Sequence, residues 1–151
     1  MPRRALVAAF LVALALLPAG TASADNVGIR FGYYTKVKDP FVGVEYLARV
    51  GHHVYFNPNF EWVFTDGFKY FTVNGDFHYD FPTGSRHNYV WLGAGLALVR
   101  VSFDGGGGNT DAGLNILGGV GVRAGGVIPY VQAKVIVKDD SEFVIGFGVR
   151  F

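Results

Sequence analysis

At 151 residues the chain has room for one domain. Half of it is hydrophobic, 16% aromatic and only 17% charged, with 22 glycines and no cysteine, so disulfides and thiolate chemistry are excluded and strands with turns are favoured over helices. The formal charge is +1, and it turns slightly negative once Arg3 and Arg4 are set aside with the leader described next, so no basic balance remains that would point to nucleic acid.

The first 24 residues read as a secretory signal peptide. Arg3 and Arg4 precede an apolar run from Ala5 to Leu17. Pro18 and Gly20 follow, and Ala22-Ser23-Ala24 is a small-x-small cleavage pattern. The run is short for a transmembrane anchor. The domain expectation is therefore a leader over 1–24 and one barrel domain over 25–151.

After the leader, two-residue alternation recurs in eight segments separated by turn chemistry. They span 26–34, 41–50, 53–64, 68–81, 88–103, 111–123, 127–137 and 142–151. The breaks between them include Thr-Asp-Gly at 65–67 and the glycine run 105–108. No helix follows that run with the spacing of a phosphate loop. Pro58 sits inside the third segment and predicts a bulge there. An even number of adjacent strands with short connections predicts an all-β, eight-stranded antiparallel up-and-down barrel.

The two faces of these strands differ. One is apolar: Val27, Ile29, Phe31 and Tyr33 in the first segment, Phe143, Ile145, Phe147, Val149 and Phe151 in the last. The other mixes glycine with Arg30, Glu45, Arg49, Glu61, Asp76, His78, Arg100, Arg123, Lys134 and Arg150. In a soluble barrel the apolar face would line a ligand cavity. In a membrane barrel it faces lipid, and the charges share the lumen. Three features favour the membrane. The aromatic face is too bulky for the inside of eight strands. The charges come in both signs and can pair when buried. The rings fall near strand ends, as two girdles: Tyr33, Trp62, Phe64, Phe71, Phe103 and Phe143 at one rim, Phe56, Phe77, Tyr79, Phe81, Tyr89, Trp91 and Phe151 at the other. With Tyr89 and Trp91 outward, Leu92, Leu96 and Leu98 fall inward, beside Phe41, Leu47, Leu117, Ile128 and Ile136. The lumen then reads as a mixed plug. Inward Gly119, Gly121, Gly146 and Gly148 would leave room for Arg123 and Arg150 to lie across it.

The leader, the eight alternating strands and a last strand ending in phenylalanine resemble the small bacterial outer-membrane β-barrels, such as the transmembrane domain of outer-membrane protein A and the opacity-protein group. The resemblance implies an outer-membrane location, contact with membrane lipid, and a monomer. It also implies that Phe143, Ile145, Phe147, Val149 and Phe151 form the signal read by the barrel assembly machinery. Opacity-type adhesins carry long outer loops; the corresponding loops here, near 35–40, 65–67, 104–111 and 138–141, are short. The family also contains lipid A-modifying enzymes. Ser85 and His87 share one turn on the side away from lipid A, which argues against a Ser–His site. Asn74, Asp76, His78 and Asp80 share a strand face and could hold a metal or relay protons. The reading taken instead is a polar lumen stripe paired with Arg30, Arg49 or Arg100. His52-His53 is a wet turn. The expectation is an envelope protein with no catalytic, cofactor or metal residues and at most a narrow pore. The alternatives are a lipid A-modifying barrel enzyme and a soluble periplasmic barrel with an apolar ligand.

Overall fold

A computed structural model describes residues 26–151; the expected leader over 1–24 lies outside the described residues. The chain forms eight strands: β1 (Asn26–Tyr34), β2 (Asp39–Arg49), β3 (Val54–Val63), β4 (Phe68–Phe81), β5 (Asn88–Phe103), β6 (Gly108–Val122), β7 (Ile128–Val137) and β8 (Glu142–Arg150). Each pairs antiparallel with its sequence neighbour, and β8 closes on β1. Closure removes the unpaired edges that an open sheet would expose. Both ends of the domain lie on one rim, where Asn26 Nδ2 donates to the Phe151 carbonyl at 3.1 Å and the Phe151 amide donates to the Val27 carbonyl at 2.9 Å. We call this the proximal rim and the opposite one the distal rim.

The exterior is the apolar parity. Ile29, Phe31, Val73, Phe77, Leu96, Leu98, Ile116, Val131, Ile145 and Phe147 are all exposed. The rings pair across strands: Phe31 with Phe147 at 5.9 Å, Trp62 with Phe71 at 6.0 Å, Phe56 with Phe77 at 5.0 Å. Such pairs add to the stability of adjacent strands. Within the strands, Lys69 and Arg100 are the charged side chains of outward parity, and both sit on the distal parts of β4 and β5. The β5–β6 hairpin rises past the barrel there, since β6 has no β7 partner before Leu114.

Three expectations are corrected. First, β5 has the opposite parity: Tyr89 and Trp91 are buried inside, and Leu92, Leu96 and Leu98 are exposed outside. The cause is visible across the ladder. Asp76 and His78 of β4 point inward opposite Gly95 and Gly93, where a side chain has no room: a Cβ on Gly93 would lie 3.0 Å from the His78 ring. Gly93, Gly95 and Ala97 therefore carry the crowded inner face. Arg100 goes outward with Leu98, and Phe103 ends at the distal rim beside Phe68. The aromatic girdles consequently do not run around the barrel, because the outer faces of β5, β6 and β7 are aliphatic.

Second, Pro58 makes no bulge. The β2–β3 and β3–β4 registers continue past it with no inserted residue. The lost backbone donor faces β2, where it would have met the Tyr46 carbonyl. Asn57 Nδ2 takes its place at 2.9 Å, so the carbonyl is not orphaned. Third, β6 begins at Gly108, three residues earlier than the pattern indicated. Gly106 and Gly107 have φ of 95° and 86°, a left-handed geometry that lets four residues reverse the chain.

Candidate functional site in the barrel lumen

The inward side chains form three layers. The middle layer is ionic. Glu61 of β3 accepts from Lys134 Nζ with both oxygens at 2.9 Å and from Arg30 Nη2 at 3.0 Å. The Tyr34 hydroxyl donates to it, and Thr72 lies 3.3 Å away. Glu45 of β2 accepts from Arg150 Nε at 2.9 Å, from the Tyr130 hydroxyl at 2.6 Å and from Asn57 Nδ2 at 2.9 Å. Arg30 Nη1 reaches within 3.6 Å of Glu45 and so bridges the two carboxylates. The result is one chain, Lys134–Glu61–Arg30–Glu45–Arg150. Every member is at most 3% exposed.

Asp76 balances the third cation without touching an arginine. Its oxygens accept from Asn59 at 3.0 Å and Asn115 at 2.7 Å. Asn74 extends this amide ladder, donating to Asn59 at 3.0 Å and accepting from Asn115 at 2.9 Å. Burying ions costs several kcal/mol each unless partners and hydrogen bonds offset it; the network offsets it for Lys134, Glu61, Glu45 and Arg150, while among the described residues Arg30 Nε and Nη1 have no hydrogen-bond partner. The network also pins register. A one-residue slip of any charged strand would turn a charge toward the exterior, at about 2–4 kcal/mol for Arg or Lys at a bilayer midplane.

A cluster of buried hydrophobic side chains lies at each end of the ionic layer. The distal cap consists of buried Tyr34, Phe41, Val63, Tyr70, Val99, Ile136 and Val144. The proximal cap is Tyr89, Trp91, Leu117 and Tyr130, with Ile128 against it. Arg150 lies across this second cap, its guanidinium 4.3 Å from the Tyr130 ring centre and 4.9 Å from that of Trp91, with Nη1 donating to the Tyr89 hydroxyl. The glycines make space for these rings as much as for arginine. A Cβ on Gly119 would meet Trp91, and one on Gly148 would meet Tyr130. His78 stacks on Trp91 at 5.9 Å and 19°.

Of the ten residues assigned to the lumen from sequence, Arg30, Glu45, Glu61, Asp76, His78, Lys134 and Arg150 lie in the buried interior. Arg49 and Arg123 are exposed at the proximal mouth, where Arg123 covers Tyr89 at 4.8 Å. Arg100 is not in the lumen: it is on the outer wall near the distal rim, bonded to Ser102 and Thr110. The expected pairing of Asp76 with arginine is replaced by Asn59 and Asn115. Tyr34, Asn115, Tyr130 and Glu142 join the lumen beyond those ten, and they share parity with Arg30, Arg123, Lys134 and Arg150. Glu142 accepts from the Lys36 amide at 2.7 Å and anchors the β1–β2 turn. Among the described residues, no three His, Asp or Glu side chains converge as a metal site. Phe143, Ile145 and Phe147 face outward, with Phe151 at the proximal rim.

A closed eight-stranded antiparallel barrel with an apolar exterior and a paired ionic interior defines the transmembrane β-barrel class. Solved structures of that class superpose on the chain. The N-terminal β-barrel domain of Pseudomonas aeruginosa OprF aligns with a TM-score of 0.71 at 17% identity, covering 87% of this chain and 98% of that one. Neisserial surface protein A aligns at 0.65 and 22% identity, over 87% and 98%. The outer membrane enzyme PagL aligns at 0.56 and 14%, over 85% and 99%. At these identities the likeness is one of fold. No family model and no curated protein matches the sequence.

Proposed function

We propose that this protein resides in the bacterial outer membrane as a structural, envelope-stabilising barrel that neither conducts nor catalyses. The observation that carries this reading is the lumen: an ion-pair chain capped by an apolar cluster above and an aromatic cluster below. Water and ions need a continuous polar path, and the two caps interrupt it. The neighbours described above support the location through their fold. Insertion from the periplasm would leave the proximal rim, which holds both ends of the domain, on the periplasmic side. The outward face of β8, from Phe143 to Phe151, is then the segment presented to the assembly machinery.

PagL is an enzyme on the same fold, so catalysis on such a scaffold needs a separate argument. Here the Ser85 hydroxyl is taken up by the backbone amides of His87 and Asn88 at 3.2 Å each, a turn-stabilising role on the proximal rim. Planar-bilayer recording tests the structural reading. The purified folded barrel is expected to give no unitary conductance steps in 1 M salt. Reproducible steps from the wild-type protein would overturn it. Unchanged lipid A mass on expression is the matching expectation for the absence of enzymatic action.

A further inference from the structure

Lys69 and Arg100, the two charged side chains of outward parity within the strands, are neighbours. Lys69 stands opposite Ser102 and Arg100 opposite Phe71, which makes the cations diagonal partners across the β4–β5 ladder. Diagonal positions lie about 7–8 Å apart, within reach of long side chains. Neither cation is in an ion pair among the described residues, whereas Lys36 of the β1–β2 turn is held by Asp140. Arg100 Nε donates to Ser102 Oγ at 3.3 Å and Nη1 to Thr110 Oγ1 at 2.9 Å. These hydroxyls fix the guanidinium against the wall and leave its other N–H groups as donors. Asp66 and Asp104 lie in the turns beyond the strand ends, and Asp111, of inward parity, accepts from Asn109 at 2.8 Å.

The pair sits at the distal border of the apolar wall. Every outward residue of β5 from Val90 to Leu98 is apolar, and Asn88 and Arg100 bracket that run. Twelve residues at about 3.4 Å each, tilted by about 40°, place Arg100 about 31 Å above Asn88, close to the thickness of a hydrocarbon core. Trp62 and Phe71, stacked at 6.0 Å, flank the cations at the same level. Directly below, Val73, Leu98 and Ala112 continue the wall.

We propose that this patch binds a phosphate of lipid A, held by Lys69 and Arg100, with an acyl chain along the β4–β5 wall beneath. Charge complementarity selects the occupant. Two cations without carboxylate partners, at headgroup height and above an apolar wall, fit a phosphorylated amphiphile. Their outward parity points them into the bilayer interface, where a soluble partner has little access. The proposal rests on the membrane reading above. The orientation given there turns the distal rim outward, to the leaflet in which lipid A sits, and so selects lipid A over a glycerophospholipid.

Native mass spectrometry of the folded full-length barrel in non-ionic detergent tests it. Bisphosphorylated lipid A and dephosphorylated lipid A are added in equal amounts, with phosphatidylglycerol in a parallel sample. Lipid A is expected to be retained over its dephosphorylated form by about fivefold for each cation. K69Q and R100Q are each expected to lower that preference, and K69Q/R100Q to abolish it. K36Q/K38Q removes the same charge from the β1–β2 turn and is expected to match wild type. Heat-modifiable gel mobility reports that each variant is folded, and neither outward substitution touches the lumen. Equal retention of the two lipid A forms, an unchanged preference in K69Q/R100Q, or an equal loss in K36Q/K38Q overturns the proposal. Phosphatidylglycerol retained as strongly as lipid A, with the same dependence on Lys69 and Arg100, overturns the assignment to lipid A and gives the site to phospholipid phosphates. A barrel that stays soluble without detergent overturns the membrane reading and the site together; a barrel that needs detergent but shows no lipid A preference overturns the site alone.

Discussion

Replacing Glu61 with alanine removes the acceptor at the centre of the ionic chain. Lys134 loses its one carboxylate partner, with both contacts at 2.9 Å, and Arg30 keeps only the longer approach to Glu45 at 3.6 Å. Both cations stay buried at 1% exposure. Breaking a buried pair by removing one partner costs about 3–5 kcal/mol, because an uncompensated ion remains. The Tyr34 and Thr72 hydroxyls, 3.2 Å apart, can still bond each other, so their loss adds little. A drop of about 4 kcal/mol is therefore expected, a large share of a typical domain's 5–15 kcal/mol. Urea unfolding of the barrel in lipid vesicles measures it, followed by tryptophan fluorescence and gel mobility. The chain has two tryptophans, and Trp62→Phe leaves Trp91 as a lumen reporter. The double variant E61L/K134M is expected to recover most of the loss, since apolar replacement of a whole buried pair is often neutral. A loss below about 1 kcal/mol in E61A, or no recovery in the double variant, would refute the buried-pair energetics.

Three further outcomes are expected. Gly119→Val drives a side chain into the Trp91 ring, whose Cη2 would lie 2.5 Å from the new Cβ; overpacking of this kind costs about 1–3 kcal/mol, read by urea titration together with a changed Trp91 emission. Asn57→Ala removes one donor to the Tyr46 carbonyl beside Pro58 and one to Glu45, at a cost of about 1–3 kcal/mol; in a Pro58→Ala background, where a backbone donor returns, the same substitution is expected to cost less in a double-mutant cycle. Arg100→Ala is expected to stay within about 0.5 kcal/mol of wild type, whereas Arg30→Ala, which strips both Glu61 and Glu45 of a buried cation, is expected to lose several times more in the same assay.

The contrast between Arg30 and Arg100 marks where sequence reasoning held and where it slipped. Alternation located all eight strands and gave the inner face of seven, because a strand's two faces are set locally by the pleat. In β5 the aromatic rings at Tyr89 and Trp91 carry the pattern of a lipid-facing girdle, yet both lie in the lumen. The opposite signal was present in Gly93, Gly95 and Ala97, since small residues fall on the crowded inner face in β8 as well. Bulk at a strand end was the weaker guide, because two glycine gaps across the lumen can accept a ring there.

The sequence by itself determined the strand count, the apolar exterior and the mixed-sign interior, each a property of residues two apart. Only the tertiary structure decided which charges meet. Lys134 and Glu61 are 73 residues apart, and Arg150 and Glu45 are 105 apart. Their contact depends on strand tilt and register accumulated around the whole barrel. The same closure assembled the distal cap, because Tyr34, Tyr70 and Ile136 become neighbours only when three separate strands reach the same height on the inner wall.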